Sequence, residues 1–595
     1  MPRGQEPLLA NNRPPSQLSN DDRIAEEDAL LTGQNTGKQE TTTYARRNWK
    51  EIGLFVWALI ATAVIVVLAV LYQHSRAEHG GPRSGGKIPE GKRNLIFMVS
   101  DGMGPTSLAL TRGWRQHVDQ LPWDDTLTID QHLIGQSRTR SSSSLVTDSA
   151  AGATAFSCGH KSYNGAISVL PGFQPCGSVM EAAKRMGYTT GLVVTTRLTD
   201  ATPAVFASHV RRREMEDEIA LQMVGETNPL GRVVDLMFGG GRCHFLPNST
   251  EHSCRADDTD VVRLAEKGGW NYIDSREQFD NLGSSVELPM MGLFAGGDIP
   301  YEIDRRYEEE TYPSLKEMAK TALDALKAAT HDSEQGFFIM IEGSRIDHAG
   351  HANDPAAQVH EVLAYDHTLA AVLDFIDDSD VPTLMVSTSD HETGGLATSR
   401  QLHETYPEYL WYPGVLANAS HSSAWAAGQY HSHLDTLGAA DPSDLAAQSK
   451  SETKAYLTTL ARSGLGIHDS SPSELDALLA SPDTAAYIFA DMISRRAQLG
   501  WSTHGHSGAD VNIFASDAAW ADDLAGNHEN TEVGEFLAKY LGVEEERERI
   551  TGELRKEMDV HLLGEEPVHG ERLDGQDHLV RYHGDHKRRC AECGV

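Results

Sequence analysis

Short apolar runs alternate with helical patterns from residue 94 onward. Short runs rich in Val, Ile and Phe and bounded by turn residues are typical of buried strands. Between them, apolar residues recur at helical spacing, as they do after Asp354 and Pro355, which suit an N-cap and the first helical position. This alternation predicts an α/β fold with a mainly parallel central sheet covered by helices on both faces. The predicted strands are Asn94 to Ser100, Gly191 to Thr196, Gly336 to Ile341, Pro382 to Thr388 and Asp510 to Ala515.

A different apolar pattern lies nearer the N-terminus. Residues 52–72 are apolar or uncharged throughout. At 1.5 Å per residue they span about 31 Å, the thickness of a bilayer core. We therefore predict an N-terminal transmembrane signal-anchor helix. Residues 1–51 are polar and poor in aromatic side chains, which predicts a disordered cytosolic tail, and residues 73–92 are expected to form a linker.

The topology of this predicted anchor follows from what comes after it. The positive charges on its two sides are too similar in number to decide the orientation. Two glycosylation sequons, at Asn248 and Asn418, follow the span, and so do all six cysteines. Both features are typical of a lumenal or extracellular location. We predict a single-pass type II membrane protein with a cytosolic N-terminus.

The rest of the chain divides by composition. Residues 93–543 carry the alternation of strands and helices and form the predicted folded body. Within it, residues 401–496 lack strand patterns and are rich in Ala, Ser, Leu and Asp, so we expect a helical insertion or cap. Residues 544–595 are highly charged and are expected to leave the folded core as a tail, which lumenal proteases could remove as a propeptide.

Charge and cysteine content narrow the possible functions. The formal net charge of -35 argues against general affinity for nucleic acid, because a field of this sign repels polyphosphates. Any site for an anion must therefore be locally positive. The first two pairs of neighbouring cysteines are candidate disulfides, although spacing does not fix their connectivity, and the third lacks the second Cys-x-x-Cys of a zinc ribbon. The three pairs are Cys158 and Cys176, Cys243 and Cys254, and Cys590 and Cys593.

Acidic residues, histidines and single hydroxyls gather where predicted strands end. The carboxyl ends of parallel strands meet at one edge of a sheet, so the loops there bring distant residues into one site. Each residue alone has an ordinary structural explanation, such as a helix cap or a packed histidine, but the joint placement predicts a metal site. Histidine with carboxylate suits zinc, whereas carboxylate with hydroxyl suits magnesium. The candidates are Asp101, Ser149, Asp200, Thr202, Arg213, Glu342, Asp347, His348, His351, Asp390, His391 and His506.

Two local patterns support this chemistry. Asp347 and His351 are four positions apart, which places both on one face of a helix and lets both reach one ion. Ser149 opens a run of small helix-forming residues, which predicts a hydroxyl at a helix N-terminus, where amide groups and the helix dipole favour a phosphate. A zinc ion beside it would activate the serine as a nucleophile. The carboxylates outnumber the single arginine, Arg213, so the site needs its metal ions before it can bind a phosphate dianion.

Six segments of the chain resemble, in order, the successive motifs of the alkaline phosphatases. The resemblance covers roughly residues 93–540 and is very close for the vacuolar alkaline phosphatases of fungi. It implies hydrolysis of a broad range of phosphate monoesters through a covalent phosphoserine, with two zinc ions and one magnesium ion per subunit, in a homodimer. The segments are VSDGMG, VTDSAAGATA, TDATPA, EGSRIDHAGH, STSDHETGG and WSTHGHSGADV.

The same resemblance implies a role for each candidate. Ser149 would be the nucleophile and Arg213 would bind the phosphate. The first zinc ion would be held by Asp347, His351 and His506, the second by Asp101, Asp390 and His391, and magnesium by Asp101, Glu342 and Thr202.

Two positions just outside the ligand sets depart from the patterns of known members. Asp200 would bind magnesium through water. At the positions of Asp200 and His348, enteric bacterial members have aspartate and lysine, whereas mammalian members have histidine at both. This chain combines the aspartate of the first group with a histidine of the second, so the identity of the third metal ion is open. His504 is an alternative to His506, although the glycines that flank His506 favour the latter.

Two other classes of function compete with this interpretation. One is another member of the same metalloenzyme superfamily, such as a sulfatase, phosphodiesterase or phosphomutase. The C/S-x-P-x-R sulfatase motif is absent from the sequence, and Ser149 with Arg213 favours monoesters. The other is a membrane-anchored binding protein with structural metals, which has no use for a serine between two metal sites.

The glycine-rich segment from Phe238 to Arg242 lacks the GxxxxGK[ST] pattern of a nucleotide-binding loop. We interpret it as a structural turn.

The N-terminal tail contains a candidate sorting signal. Glu26, Leu30 and Leu31 match the spacing of an acidic dileucine signal, which a sorting adaptor could bind. Together with the predicted anchor and the fungal resemblance, it predicts a location in the vacuole membrane with the folded body in the lumen. The cell surface is the alternative.

Overall fold

The computed structural model describes residues 57, 62, 87–283, 286–438 and 446–558. The predicted tail, almost all of the predicted membrane span, most of the linker, the sorting residues Glu26, Leu30 and Leu31, and the pair Cys590 and Cys593 lie outside the described residues. Among the residues described, no helix combines the length and the apolar character that crossing a bilayer requires.

Fourteen strands form one large sheet and two small antiparallel pairs in the described part of the chain. The strands are β1 (Asn94–Val99), β2 (Leu133–Arg138), β3 (Val169–Leu170), β4 (Gln174–Pro175), β5 (Thr189–Arg197), β6 (Leu236–Gly240), β7 (Asn271–Ile273), β8 (Met290–Leu293), β9 (Phe337–Glu342), β10 (Thr383–Thr388), β11 (Glu392–Thr393), β12 (His506–Ser507), β13 (Val511–Ala515) and β14 (Gly526–Glu529).

The large sheet has ten strands in the order β14-β2-β13-β10-β1-β9-β5-β6-β8-β7. Every pairing from β10 to β7 is parallel, whereas β13 runs antiparallel to both β10 and β2. The prediction of a mainly parallel sheet is confirmed, and all five predicted strands are present. The sequence missed strands that are very short, such as β7, or that are polar and only partly buried, such as β2 and β14.

The central strand β1 shows why this sheet is buried on both faces. Leu95, Phe97 and Val99 pack into one hydrophobic cluster, whereas Ile96 and Met98 pack into another on the opposite face. Because successive side chains of a strand point to opposite faces, a strand covered on both sides is apolar at every position.

The predicted turn at Phe238 to Arg242 is partly strand. Phe238 lies inside β6, and the chain turns only at Gly241, where φ is 91°. Such a φ favours glycine because a side chain there is strained.

The helices cover the sheet on both faces. They are α1 (Pro105–Val118), α2 (Ser149–Cys158), α3 (Val179–Arg185), α4 (Ala201–Ala204), α5 (Glu216–Met223), α6 (Val261–Lys267), α7 (Arg276–Asp280), α8 (Glu302–Arg305), α9 (Leu315–Ala329), α10 (Arg345–His351), α11 (Pro355–Asp377), α12 (Pro413–Ala417), α13 (Ser423–Thr436), α14 (Ala447–Leu465), α15 (Pro472–Ala480), α16 (Ala485–Ala497), α17 (Asn530–Leu541) and α18 (Glu544–Glu557).

Two groups of helices enclose the sheet. Helices α2 and α17 pack together on one face, where Phe156 and Phe536 join the same hydrophobic cluster as Phe97. Helices α9 and α11 pack together on the other face, where Met318 and Leu369 join the cluster that contains Ile96. The expected covering of both faces by helices is therefore present.

The segment 401–496 is helical from Pro413 onward, as α12 to α16, within the described residues. It has its own core, in which Leu416, Tyr430 and Phe489 pack against Val359 of α11. Residues 401–412 form an irregular loop that exposes Tyr406 and Tyr409. The interpretation of this segment as a mainly helical insertion agrees with these helices, although its first part is not helical.

The prediction that the chain leaves the folded core at residue 544 is wrong. Helix α18 begins at Glu544, and its residues Ile550 and Leu554 are fully buried against the large cluster on the first face. The hydroxyl of Thr551 accepts a hydrogen bond from the backbone N–H of Gly177 at 2.8 Å. The charged residues occupy the outer face of an amphipathic helix, so composition alone concealed its apolar stripe.

Two disulfides join the candidate cysteines in the described body. Cys158 pairs with Cys176, and Cys243 pairs with Cys254. The first bond ties the end of α2 to the loop before α3, and both of its cysteines are buried. The second closes a loop that carries the exposed sequon residue Asn248.

Candidate active site

Four neighbouring parallel strands, β10, β1, β9 and β5, end at the same edge of the sheet. Asp390 follows the end of β10, Asp101 follows β1, Glu342 is the last residue of β9, and Asp200 follows β5. Parallel pairing therefore places four carboxylates, which lie far apart in sequence, at one edge. This is the edge at which ligands bind in parallel α/β sheets.

Ser149 is the first residue of α2, and Asp148 is its N-cap. Asp148 Oδ1 accepts a hydrogen bond from the backbone N–H of Ala151 at 3.0 Å. The helix lies close to the loop after β10, because a Cβ added at Gly152 would be 3.0 Å from the Cβ of Asp390. This close approach brings Ser149 Oγ to 3.0 Å from His391 Nε2. The hydroxyl thus lies at a helix N-terminus, where the dipole favours an anion.

Asp347, His351 and His506 form the first ligand cluster, with ligand atoms within 4.8 Å of one another. Asp347 and His351 lie one turn apart on α10, and Asp347 Oδ2 is 3.2 Å from His351 Nε2. His506 Nε2 lies 3.2 Å from His351 Nε2 and 3.6 Å from Asp347 Oδ1. Its Nδ1 lies 2.7 Å from the carbonyl oxygen of Thr147, which leaves Nε2 to face the cluster.

His504 has a different place from His506. Its Nδ1 lies 2.8 Å from the backbone oxygen of His351, and its ring lies beside that of Tyr487. The geometry therefore favours His506 over His504 as a ligand of the first cluster.

Asp101, Asp390 and His391 form a second cluster. His391 Nε2 lies 3.1 Å from Asp390 Oδ2 and 3.6 Å from Asp101 Oδ1. Both of these carboxylate oxygens are buried and lack a hydrogen-bond partner. A buried carboxylate oxygen without a partner is costly unless a cation binds it. Asp347 also offers a ligand atom within 4.8 Å of Asp101 and His391, so its carboxylate lies between the two clusters.

A third group of candidate metal-binding atoms consists only of oxygens, from Asp101, Thr202 and Glu342. Thr202 Oγ1 donates a hydrogen bond to Asp101 Oδ2 at 3.4 Å. Glu342 Oε2 accepts one from Ser344 Oγ at 2.7 Å, and that hydroxyl in turn accepts one from the backbone N–H of Thr195 at 3.2 Å. Carboxylate and hydroxyl oxygens are the ligands that magnesium prefers.

The carboxylates of this edge repel one another. Burial raises the pKa of Asp101 well above its usual range, and Asp390, Asp347 and Glu342 raise it further. Burial likewise raises the pKa of Glu342 to about 8. At Asp101 and Glu342 the ionised carboxylate is unfavourable unless a cation lies beside it, whereas the neighbouring histidines lower the pKa of Asp347 and Asp390. Bound metal ions would offset the repulsion among these carboxylates.

Arg213 contacts two carboxylates of the site, one of which immediately precedes the serine. Its Nη2 donates a hydrogen bond to Asp200 Oδ1 at 2.8 Å, and its Nη1 lies 3.5 Å from Asp148 Oδ2, next to Ser149. Arg211, two positions earlier, lies instead 4.0 Å above the ring of Phe173. The structure therefore separates the two arginines and places the predicted candidate, Arg213, at the site.

Asp200 is engaged by two arginines. Burial would raise its pKa, but Arg213 and Arg197 outweigh that effect and hold the pKa below its usual range. Both of its oxygens accept hydrogen bonds from these guanidinium groups, at 2.8 Å from Arg213 and 3.1 Å from Arg197. His348 lies nearby, and its Nδ1 accepts a hydrogen bond from Arg345 Nε at 3.3 Å.

The sequence analysis missed several residues that position the candidates. Thr393 Oγ1 donates a hydrogen bond to Asp347 Oδ1 at 2.5 Å and lies 3.2 Å from His391 Nδ1. Ser344 orients Glu342, and Arg197 holds Asp200. Thr393 and Ser344 lie inside the quoted segments STSDHETGG and EGSRIDHAGH, and Arg197 lies three positions before Asp200. The signal that could have identified these positioning residues was a hydroxyl or an arginine close in sequence to a candidate ligand.

Comparison with known proteins agrees with this geometry. A family model described as alkaline phosphatase matches residues 92–543. The repressible alkaline phosphatase of Saccharomyces cerevisiae is 54% identical over 475 residues, which cover 76% of this chain and 81% of that protein. An alkaline phosphatase of Schizosaccharomyces pombe is 42% identical over 524 residues, which cover 87% of this chain and 92% of that protein.

The fold of this chain is also similar to that of a solved structure. The crystal structure of Thermus thermophilus alkaline phosphatase has a TM-score of 0.64 and 26% sequence identity, and the match covers 80% of this chain and 99% of that one. The residues matched by the family model span all the strand-end candidates, from Asp101 to His506. The chain therefore belongs to the alkaline phosphatase family, whose members hydrolyse phosphate monoesters.

Proposed function

We propose that this metal-dependent phosphatase hydrolyses phosphate monoesters through a covalent phosphoserine on Ser149. The observation that carries the proposal is the position of Ser149 Oγ, at the start of a helix and 3.0 Å from His391 Nε2 of the second ligand cluster. A hydroxyl placed between a helix N-terminus and a metal-ligating histidine suits nucleophilic attack on a phosphate.

Three ions fit the donor atoms of this edge. One zinc ion would be held by Asp347, His351 and His506, the second by Asp101, Asp390 and His391, and magnesium by Asp101, Glu342 and Thr202. The unpartnered buried oxygens of Asp101 and Asp390 support this assignment. When bound, the zinc ions supply positive charge that favours the ionised serine hydroxyl and the departing alkoxide.

The protein groups carry out the remaining steps. Arg213 binds non-bridging oxygens of the phosphate, and the first amide groups of α2 stabilise the same charge. Ser149 Oγ loses its proton to solvent and forms a bond to phosphorus in line with the leaving group, while the P–O bond to that group breaks with its electron pair on the departing oxygen, which takes up a proton from solvent. In a second in-line step a water oxygen bonds to phosphorus as the P–Oγ bond breaks, and the proton that water loses returns to Ser149 Oγ. Two inversions retain the configuration at phosphorus. These residues contact only the phosphoryl group, which favours broad specificity.

The test is hydrolysis of a generic aryl phosphate by the folded body, with and without a chelator, in wild type and Ser149→Ala. We expect chelation to abolish activity, zinc with magnesium to restore it, and Ser149→Ala to reduce it on the order of 10³-fold or more. Mass spectrometry after acid quench should find the phosphoryl group on Ser149. Robust activity of metal-loaded Ser149→Ala would remove Ser149 as the nucleophile. No monoesterase activity in well-folded, metal-loaded wild type would favour a phosphodiesterase or a non-catalytic protein.

We also propose a vacuole membrane location with the catalytic body in the lumen, by a type II anchor and a sorting adaptor that binds the N-terminal tail. The exposed sequon residues Asn248 and Asn418 agree with a lumenal body. Glycosidase treatment of the full-length protein should increase its gel mobility, and Asn248→Gln with Asn418→Gln should abolish the change. An unglycosylated protein in the native compartment would contradict this topology, and surface labelling of intact cells would favour the cell-surface alternative.

Two further properties belong to the same proposal. The protein would act as a homodimer, which light scattering of the purified body would test by its molar mass. Lumenal proteases would remove a C-terminal segment that begins after α18. An intact mass that ends at Val595 in protein from the native compartment would contradict that removal.

A further inference from the structure

Arg197, the last residue of β5, lies among three carboxylates at the edge of the active site. Its Nε is 2.9 Å from Glu216 Oε2, its Nη1 is 2.9 Å from Asp298 Oδ1, and its Nη2 is 3.1 Å from Asp200 Oδ2. Its side chain is only 24% exposed. The guanidinium group therefore has a single orientation, fixed on three sides by charge-assisted hydrogen bonds.

The partners of Arg197 are themselves held in place. Glu216 Oε2 also accepts a hydrogen bond from Thr199 Oγ1 at 2.6 Å. Asp298 Oδ1 also accepts one from the backbone N–H of Arg197 at 3.1 Å. The position of the guanidinium group is thus determined by the end of β5 and by the start of α5, and not by the active-site groups alone.

The third partner, Asp200, links Arg197 to the phosphate-binding arginine. Asp200 Oδ1 accepts hydrogen bonds from Arg213 Nη2 at 2.8 Å and from the backbone N–H of Ala201 at 2.7 Å. Its other oxygen, Oδ2, is occupied by Arg197. Because Oδ2 is directed at Arg197, Arg213 is bonded to Oδ1 alone, and the two side chains make a one-point contact in place of the two-point pair that carboxylates often make with arginine. Arg213 Nη1 lies 3.5 Å from Asp148 Oδ2, beyond a close hydrogen bond, so this side of the guanidinium group can turn to a phosphate.

We propose that Arg197 is a positioning residue for phosphate binding, which acts through Asp200 to keep Arg213 oriented toward the serine. This inference rests on the proposed function, because it takes Arg213 as the group that binds phosphate. Without Arg197, Asp200 turns both oxygens to Arg213 and withdraws it from the substrate, and the positive charge beside the site falls by one. Both changes weaken binding of the phosphate dianion, while the distance between Ser149 and His391 is unaffected.

The test compares Arg197→Met with a matched control, Arg276→Met. Arg276 is also mostly buried, at 19% exposure, and also bonds two carboxylates, Glu317 at 2.7 Å and Asp280 at 2.9 Å, but neither is an active-site candidate. Binding of inorganic phosphate to each metal-loaded protein is measured by calorimetry, and KM and kcat are measured with an aryl phosphate. We expect Arg197→Met to raise the phosphate Kd and the KM about tenfold or more, with kcat changed less than about threefold.

A double-mutant cycle separates this role from a structural one. In an Asp200→Asn background, adding Arg197→Met should change the phosphate Kd by less than about twofold, since the group through which Arg197 acts is gone. An unchanged Kd in Arg197→Met, an equal loss in Arg276→Met, or a full effect of Arg197→Met in the Asp200→Asn background would each overturn the proposal. If wild type neither hydrolyses monoesters nor binds phosphate, the proposed function fails as well. Normal wild-type activity with an unchanged Kd in Arg197→Met overturns this inference alone.

Discussion

Ser149 Oγ lies 3.0 Å from His391 Nε2, although the two residues are 242 positions apart in sequence. The contact joins the first residue of a helix to the loop after a central strand. It connects the candidate nucleophile with a cluster whose carboxylates, Asp101 and Asp390, each keep a buried oxygen without a hydrogen-bond partner. The same cluster should therefore control both the chemistry and the stability of the metal-bound protein.

Removing the metal ions should destabilise the protein. We expect a chelator to lower the Tm by several degrees, because ligands that bind only the folded state stabilise it by about 4 kcal/mol at a thousandfold excess over Kd. Asp101→Asn should lower the Tm of the metal-loaded protein but raise that of the chelated protein, since it removes one of the mutually repelling carboxylates. Differential scanning calorimetry with and without chelator measures both changes. Asp332→Asn is the control, because Asp332 is exposed. If the chelated Asp101→Asn protein is less stable than chelated wild type, the prediction is wrong.

The buried acid Glu361 should make the chelated protein less stable at high pH. Burial raises the pKa of Glu361 from 4.5 to about 7. The unfolded chain loses this proton near pH 4.5 and the folded chain only near pH 7, so stability from this group falls as pH rises between those values. Glu361→Gln should therefore be more stable than wild type at pH 8, by at most about 3 kcal/mol, and equal to it near pH 4.

Glu474→Gln is the matched control for that experiment. Burial would raise the pKa of Glu474, but its hydrogen bonds with Arg496 and Ser471 outweigh that effect and lower the pKa. Its ionised form stabilises the folded state, so Glu474→Gln should destabilise the protein at pH 8. Urea unfolding in the presence of chelator at both pH values measures the two variants. If both substitutions change stability in the same direction at pH 8, the prediction for Glu361 is wrong.

His209 and Glu181 form a fully buried pair, with 2.8 Å between His209 Nε2 and Glu181 Oε1. Burial would lower the pKa of His209, but Glu181 outweighs burial and raises the pKa above 6.5. The stabilisation by the charged pair is complete below pH 6.5 and is lost as pH rises through the folded-state pKa. His209→Ala leaves a buried carboxylate without its partner and should cost about 3–5 kcal/mol near pH 6.

The loss in His209→Ala should shrink at high pH, where wild type no longer has the charged pair. Denaturant unfolding of wild type and variant at pH 6 and pH 9 gives the difference. The double variant His209→Gln with Glu181→Gln keeps polar groups of similar size without the charges, so its stability should depend less on pH. A loss in His209→Ala that is the same at both pH values would contradict a charged pair.

The C-terminal helix α18 should be required for a stable fold. Leu554→Ala removes a fully buried side chain and should cost about 2–5 kcal/mol. A chain that ends at Val543 loses the whole helix and should lose more, whereas a chain that ends at Met558 should retain the stability of the full body. Thermal unfolding of the three proteins compares them. Equal stability of the chains that end at Val543 and Met558 would show that α18 is dispensable.

Much of the fold could be predicted from sequence, because its signals are local. The five apolar runs were identified as strands since a strand covered on both faces must be apolar at every position. The spacing of Asp347 and His351 predicted one face of a helix, and both residues lie on α10. Helix α18 was missed because its charged residues dominate the composition, while the few that are buried, Ile550 and Leu554 among them, form a narrow stripe.

The sequence alone therefore determined the strand and helix alternation, the order of the candidate residues and the serine at the start of a run of small residues. The tertiary structure decided which of them share a site. It showed that Arg213 contacts Asp148 and Asp200 while Arg211 lies on Phe173. It also showed that the ring of His506 joins the ring of His351 in the first cluster, and that Arg197 holds Asp200. Hydrogen bonds and ion pairs act over about 3 Å, and residues far apart in sequence come that close only when parallel strands end together at one edge of the sheet.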